Sequence, residues 1–479
     1  MRDLLLIVNL NDAASTAVAR SLRAEHICCH IVPRDITPEE VSARQPLGLI
    51  LAGDVSGNVP APIQGEILNG EWPVLALGDA AAMLCSQLGG EALETVLCGT
   101  IGTVTFSPCA LTEGMEDCER VLHNARRLRL PDSFSPFALC QDEIVGFLSE
   151  SLPFYGLQFG LELNDTDGIQ LLMNFALSVC HCTRWWDYEA FTKDAVARIR
   201  EAVGDGRAVC AMTGGLNSGI SALLAHRALG ERLQCIFIDT GLLRENEARD
   251  FLAFYRSQAG LNIMHVSAQE RFVEALSGIV DPALKKRVIG ETLQSILDET
   301  LAGMGKFTAV VRSVICSDVL RGVDYRNRPG IHADLPVIEP LRELFKDEVR
   351  LAGDYLGMPT EVLLRQTFPG SGLALRILGE VTPARLQTLR AADLIFTTEA
   401  KNAGQNRRLR QHFAILSALP GDDTHVMVIL RAITTGEAAR LPHELLEEIT
   451  TRILRERPEV ARVVYDLSPV SAATGAEWQ

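Results

Sequence analysis

The sequence predicts an α/β protein with two successive strand–helix layers and an α+β tail, and three observations carry that prediction. Apolar runs of strand length alternate with helix-like patterns twice, first over about residues 4–88 and again over about 207–315. A glycine-rich turn, Thr213-Gly214-Gly215-Leu216-Asn217-Ser218, separates one such strand from the helix after it. From about Leu363 the pattern changes again, with long apolar strands set around a helix.

The elements follow in order. LLLIVN (4–9) reads as a buried strand, 14–24 as a helix, and 27–32 as a second apolar run. GLILAG (48–53) and PVLALG (73–78) read as buried strands ending in glycine, the latter followed by a helix over 80–88. The stretch 96–165 reads as short strands and loops, ending in the strand-like FYGLQFGLEL (154–163). The polar, aromatic CTRWWDYEAF (182–191) marks a domain boundary, and a helix over 188–203 leads into the second layer. There RAVCAM (207–212), QCIFID (234–239), NIMHVS (262–267) and FTAVVRSVI (307–315) read as strands, with helices over 219–229 and 283–302. In the tail, HVMVILRAI (425–433) and ARVVYDLS (461–468) read as strands around a helix over 441–458.

Composition narrows the function classes. A chain of 479 residues suggests two to four domains. It is 47% hydrophobic and 22% charged, ordinary for a globular protein that buries its own cores. A formal net charge of −16 argues against a nucleic-acid partner but leaves room for a nucleotide site, which needs only local positive potential. The 12 cysteines are irregularly spaced and read as reduced thiols of a cytoplasmic protein. Cys180-His181-Cys182 has no second ligand pair nearby and reads as structural, not as a zinc site. MRDLLLIVNLND reads as a first strand, not a signal peptide, and no apolar run reaches the roughly 20 residues of a membrane span.

The turn at 213–218 is the first chemical signal. Glycines let the backbone curl so that successive N–H groups aim at one point, and the following helix adds its positive end. Ser218 adds a hydroxyl. Such a turn can cradle pyrophosphate, although alone it is equally compatible with an ordinary glycine turn. It lacks the lysine of a Walker-type loop.

The segment AVCAMTGGLNSGISALLAHRALGERLQCIFIDTGLLRENEA (208–248) resembles the ATP-pyrophosphatase loop of GMP synthases, which reads SGGVDS and is followed by DTGLLR. DPALKKRVIG (281–290), EPLRELFKDEVR (339–350), TFPGSGLALRILGEV (367–381) and LPHELLEEITTRILRERPEVARVVYDLS (441–468) resemble further motifs of that family, in the same order. The first 165 residues resemble a class I glutamine amidotransferase domain. The resemblance thus implies three parts. Residues 1–185 would be a class I amidotransferase-like domain, 186–360 an ATP-pyrophosphatase domain of the adenine-nucleotide α-hydrolase type, and 361–479 a C-terminal dimerisation domain. It also implies the chemistry: ammonia from glutamine, ATP-dependent adenylation of XMP with Mg²⁺, and displacement of AMP by ammonia to give GMP. A homodimer formed through the C-terminal domain is expected with it.

The departures from the family pattern are specific. Gly78 stands where the amidotransferase cysteine belongs and Gly160 where its histidine belongs; Glu162 remains, without an imidazole to orient. Cys85 lies seven residues beyond Gly78, about 10 Å by helix rise, and reads as a core residue. In the ATP loop, Thr213, Gly214, Gly215, Leu216, Asn217 and Ser218 are the expected ATP-binding residues together with Asp239. Asn217 replaces an acid that would help hold Mg²⁺. On the acceptor side Arg312-Ser313-Val314-Ile315-Cys316-Ser317-Asp318 keeps only Asp318 and the framework of its motif. Lys346 of FKDEVR and Glu477 of the terminal AEWQ are retained, and with Asp318 they are the expected acceptor or phosphate site. Val470 stands where a lysine would meet the XMP phosphate, Gln479 replaces a glutamate, and PGIHADLP (329–336) has lost its leading histidines. These losses predict weaker acceptor binding, by roughly 2–5 kcal/mol for each charged contact removed.

Two functions are therefore expected. One is an ammonia-dependent, adenylating ligase acting on XMP or a related acceptor, without its own glutaminase. The other is a catalytically impaired dimeric scaffold or nucleotide sensor.

Overall fold

The computed structural model describes residues 3–160, 165–322, 335–363, 371–405, 408–419, 422–434 and 437–468. The chain divides into two compact units, Met1–Phe191 and Thr192–Gln479.

In the first unit the elements run β1 (Leu5–Asn9), α1 (Asp12–Ala24), β2 (Cys29–Pro33), α2 (Pro38–Arg44), β3 (Gly48–Ala52), β4 (Val74–Leu77), α3 (Asp79–Gln87), β5 (Glu91–Phe106), β6 (Cys118–Arg129), β7 (Phe134–Cys140), β8 (Glu143–Ser149), β9 (Phe154–Leu157) and α4 (Thr166–Met173). The strands form one sheet in the order β2-β1-β3-β4-β9-β8-β7-β5-β6. The β2-to-β9 half is parallel and the rest antiparallel. Its core packs strand residues such as Leu6, Val8, Leu51 and Val74 against Ala80, Met83 and Leu84 of α3. The expected short strands of 96–165 are corrected here. β5 has 16 residues and β6 has 12, and together they form one long hairpin.

In the second unit α5 (Tyr188–Val203), which runs through the division, is followed by β10 (Ala208–Met212), α6 (Leu216–Leu229), β11 (Leu233–Asp239), α7 (Glu247–Leu252), β12 (Ile263–Ser267), α8 (Gln269–Ala275), α9 (Pro282–Ala302), β13 (Ala309–Val311), α10 (Cys316–Leu320), β14 (Val337–Ile338), α11 (Lys346–Tyr355) and α12 (Thr360–Leu363). Then come a 3₁₀ turn (Gly372–Arg376), β15 (Ile377–Leu378), α13 (Pro383–Asn402), β16 (Gln411–Leu419), β17 (Asp422–Ile433), α14 (His443–Glu456) and β18 (Val460–Tyr465). A parallel sheet of order β12-β11-β10-β13-β14 and a four-stranded sheet of order β15-β16-β17-β18 result. One continuous core joins them, from Ile236 and Phe272 through Leu373, Leu389 and Phe396 to Leu430 and Ile449.

Chain order reverses beside β10. The chain leaves it toward β11 and β12, then returns to β13 and β14. In an open parallel sheet ligands bind at such a reversal, beyond the carboxyl ends of the strands. Two expectations change here. The strand placed over 307–315 shrinks to Ala309–Val311, and the helix placed at 219 begins at Leu216. Among the described residues, no helix is long and apolar enough to cross a membrane.

Candidate functional sites

Two strand-to-helix turns carry the site residues, one in each unit. In the first unit the buried strand β4 turns sharply into α3 at Gly78, whose φ of +61° and ψ of −135° are comfortable only for glycine. This is the shape of a nucleophile elbow, where the residue after the nucleophile donates its N–H to an oxyanion. Here that donor is already taken. The Asp79 N–H donates to the Asp54 carbonyl at 2.6 Å. A Cβ placed on Gly78 would overlap the same carbonyl oxygen and lie 3.0 Å from that of Gly53.

The loop that fills the elbow is latched from several directions. The Gly57 N–H donates to the Asp79 carboxylate at 2.9 Å. Asn124 Nδ2 donates to the Val55 carbonyl and Arg126 Nη2 to that of Gly57, each at 2.7 Å. Burial pushes the Asp79 carboxyl up from its usual value, against the Gly57 hydrogen bond. A Cβ at Gly160 would meet Val55 Cγ1 at 3.2 Å, so the same loop also lies against this position. Glu162 lies outside the described residues. Cys85 is fully buried in the core beneath α3, where burial pushes its thiol up to about 11. Cys180 and Cys182 are likewise buried thiols, and Cys180 Sγ fills the space beside Gly48.

The second turn is open. β10 ends at Met212, and α6 starts at Leu216 behind Gly215 as its N-cap. Gly214 takes φ +79°, a value glycine tolerates and others resist. Among the described residues, none accepts a hydrogen bond from the amides of Gly214, Gly215, Leu216 or Asn217. A Cβ on Gly214 would meet nothing nearer than 3.7 Å, and one on Gly215 only Thr213 Oγ1 at 3.6 Å. Ser218 is buried and braces the bend. Its hydroxyl donates to the Gly215 carbonyl at 2.9 Å and accepts from the Thr213 N–H at 3.2 Å, with Thr213 Oγ1 at 3.4 Å. These four amides, two from the bend and two from the first turn of a 14-residue helix, have the arrangement that suits an anion.

Asp239 ends β11 on the same edge of the sheet. Its carboxylate accepts from the Gly241 N–H at 2.9 Å and from Gln269 Nε2 at 2.8 Å. It is thereby fixed in orientation while each oxygen keeps a lone pair. Among the described residues, no group of three or more His, Cys, Asp or Glu side chains could hold a metal ion. Among the described residues, Asp239 is a held carboxylate of the kind that would meet Mg²⁺ carried on substrate phosphates.

The acceptor-side residues are divided. Asp318 caps α10, accepting from the Ile315 N–H at 3.2 Å, and pairs with Arg321 at 3.0 Å. Lys346 opens α11 at the surface. Its ammonium is held below the ordinary lysine value, first by desolvation and then by Arg350, Arg410 and Arg321, with Asp318 acting the other way. Both residues follow carboxyl ends of strands in the parallel sheet, β13 and β14. Glu477, Val470 and Gln479 lie outside the described residues, as do 329–334 of the PGIHADLP segment. Sequence reasoning missed the loop at Asp54–Gly57, its latches Asp79, Asn124 and Arg126, and the partners of the Thr240–Arg244 turn described below. The legible part of that signal was the run of small residues around Gly53 and Gly78, which lets two backbones meet.

Comparison with known proteins places this chain among relatives. The family described as GMP synthase C terminal domain matches residues 398–478. The chain is 34% identical to the glutamine-hydrolysing GMP synthase of Dehalococcoides mccartyi, over 100% of this chain and 96% of that protein. It is 33% identical to that of Clostridium tetani over 100% of both chains. The counterpart from Heliobacterium modesticaldum is 34% identical over 99% of both.

Proposed function

The chain belongs to the GMP synthase family, and from that premise we propose that it is an ammonia-dependent, adenylating ligase whose glutaminase half is silent. Its function is GMP synthase-like and belongs to purine nucleotide metabolism. In this reading residues 1–185 are a degenerate amidotransferase-like domain, 186–360 the ATP-pyrophosphatase domain and 361–479 the C-terminal domain through which two copies pair in the cytoplasm. The acceptor is XMP or a related purine-like nucleotide, and the nitrogen arrives as ammonia, free or delivered by a partner.

The contrast between the two turns carries the reading. The elbow at Gly78 has neither nucleophile nor vacant oxyanion donor, because the Asp54 carbonyl occupies the Asp79 N–H. The cradle at 213–218 keeps four amides without acceptors among the described residues. In the proposed reaction those amides and the start of α6 hold the pyrophosphate portion of ATP. The acceptor's C2 oxygen attacks the α-phosphorus; that P–O bond forms as the bond to the bridging oxygen breaks and pyrophosphate leaves. Ammonia then attacks C2, and the C–O bond to AMP breaks. Ser218 keeps the bend rigid, and Asp239, held by Gly241 and Gln269, faces the phosphates from the next strand. Mg²⁺, when bound, neutralises charge on the leaving pyrophosphate. With Asn217 in place of an acid, the chain offers that ion less, and adenylation is expected to be slow.

The scaffold or sensor reading draws support from one observation. Asp318, the surviving acid of the acceptor motif, is committed to Arg321 and to capping α10. One assay separates the readings. The full chain is incubated with ATP, Mg²⁺ and XMP, with either ammonium or glutamine, and AMP is quantified. AMP with ammonium but not with glutamine is expected. Equal AMP from glutamine would overturn the silent glutaminase. No AMP with either nitrogen source, across XMP and related acceptors, would favour the scaffold or sensor.

A further inference from the structure

The turn after β11, Thr240-Gly241-Leu242-Leu243-Arg244, is held on one side by its neighbours in sequence and on the other by residues from the last quarter of the chain. Its inner side is fastened locally. The Gly241 N–H donates to Asp239 Oδ1 at 2.9 Å and the Leu242 N–H to Thr240 Oγ1 at 3.2 Å. Its outer carbonyls go elsewhere. Leu242 O accepts from the Leu373 N–H at 2.7 Å. Leu243 O accepts from Arg390 Nε at 2.9 Å, and Gly241 O accepts from Arg390 Nη2. Three successive carbonyls are thus claimed by Leu373 and Arg390. Gly372 makes the approach possible: its φ is +62°, and a Cβ there would overlap Leu242 O.

One turn further along α13, Asp393 is 2% exposed and forms an ion pair with Arg244, whose Nε lies 3.0 Å from Oδ2. It also accepts from the Ala414 N–H at 3.0 Å, which ties the same residue to β16. The clamp is therefore part of the packed core and not a surface contact.

We propose that Arg390 is a positioning residue for the nucleotide site, acting through the Gly241 peptide to fix the carboxylate of Asp239. The Gly241 carbonyl is held by Arg390 and the Gly241 N–H orients Asp239, so the guanidinium and the carboxylate are linked through one residue of backbone. A planar, pre-organised fork holds two carbonyls in one fixed geometry, which the freely rotating ammonium of a lysine does not impose. The partly buried guanidinium also feels the Asp239 charge directly: burial lowers its proton affinity, and Glu245 and Asp239 act to raise it. The proposal deepens the ligase reading, in that it rests on Asp239 and the 213–218 bend handling ATP.

The test is a double-mutant cycle on the full chain, reading ATP·Mg²⁺ affinity by calorimetry and exchange protection of the amides at 241–244 by mass spectrometry. Arg390→Gln is expected to weaken ATP binding by about 10-fold, the lower range for loss of a supporting partner. Arg390→Lys should fall between it and the parent. In an Asp239→Asn background the Arg390→Gln change should weaken binding no further, because both act on one carboxylate. Additive losses, or none, would overturn the proposal; a merely structural arginine would give the former. The exchange readout separates the two levels. Loss of protection at 241–244 in Arg390→Gln is required whatever ATP does. If the parent chain binds no ATP, the nucleotide reading fails, and unchanged protection would then sink the positioning role as well.

Discussion

At Gly78 more than a side chain separates the elbow from the glutaminase chemistry that the family resemblance implies. The loop at Asp54–Gly57 has settled into the space, and the Asp54 carbonyl has taken the donor that would stabilise an oxyanion. Restoring chemistry by point substitution should therefore fail. The double variant Gly78→Cys, Gly160→His is expected to release no glutamate from glutamine above background and to melt below the parent. Its new Cβ overlaps a backbone oxygen, and its φ is positive. Glutamate release at a family-typical rate would refute the closed elbow. A second single-residue prediction concerns pH. His412 is buried, and its imidazole is pushed down to about 4, first by burial and then by Arg244, with Asp393 opposing and Arg376 adding. An unfolded histidine titrates near 6.5. Between those values the unfolded chain binds a proton that the folded chain refuses, so stability falls as pH drops from about 6.5 toward 4. His412→Gln should flatten that part of a pH series of thermal unfolding. An unchanged slope would show that His412 does not contribute.

At the scale of elements, the cradle separates binding from folding. Gly215→Val meets only Thr213 Oγ1 near its Cβ and has an ordinary φ of −84°. It should leave the melting temperature nearly unchanged while weakening ATP binding at least about 10-fold, the cost of about 1.4 kcal/mol at a crowded phosphate. Equal affinities would mean that phosphate lies elsewhere. Lys285 on α9 makes the opposite case. It is 1% exposed and donates to the carbonyls of Ala374, Ile377 and Gly379 at 3.3, 2.7 and 2.5 Å. Lys285→Met takes a donor from three buried carbonyls and should cost about 1–3 kcal/mol in denaturant unfolding. What the sequence made legible follows the same lines. Buried parallel strands such as β1, β3, β4, β10 and β11 announce themselves as unbroken apolar runs. The β5–β6 hairpin did not, because most of β5 is exposed or half-exposed and its alternation is blurred. The start of α6 was hidden by Gly219, which reads as a turn. It lies inside the helix, and it is a glycine there because Tyr255 Oη occupies the place a Cβ would take. The 20-residue α13 went unread although Thr382 caps it and Pro383 opens it.

For the whole molecule, the C-terminal segment and the nucleotide layer are one packed body within the second unit, joined by a continuous core and by the Arg244–Asp393 pair. That arrangement was not legible from motifs, which suggest a boundary near residue 360, because a shared core is written in contacts between distant segments. The motif order did reveal the family, whereas glycines stand at both turns and did not tell the open one from the closed one. The clamp on the Thr240–Arg244 turn, made by backbone carbonyls, left no pattern to read. The account stands or falls on the open bend at 213–218. The most direct measurement is a calorimetric titration of the full chain with ATP in excess Mg²⁺. Saturable binding with a Kd below about 1 mM, abolished by pyrophosphate competition, is predicted. An absence of binding up to that concentration would contradict it.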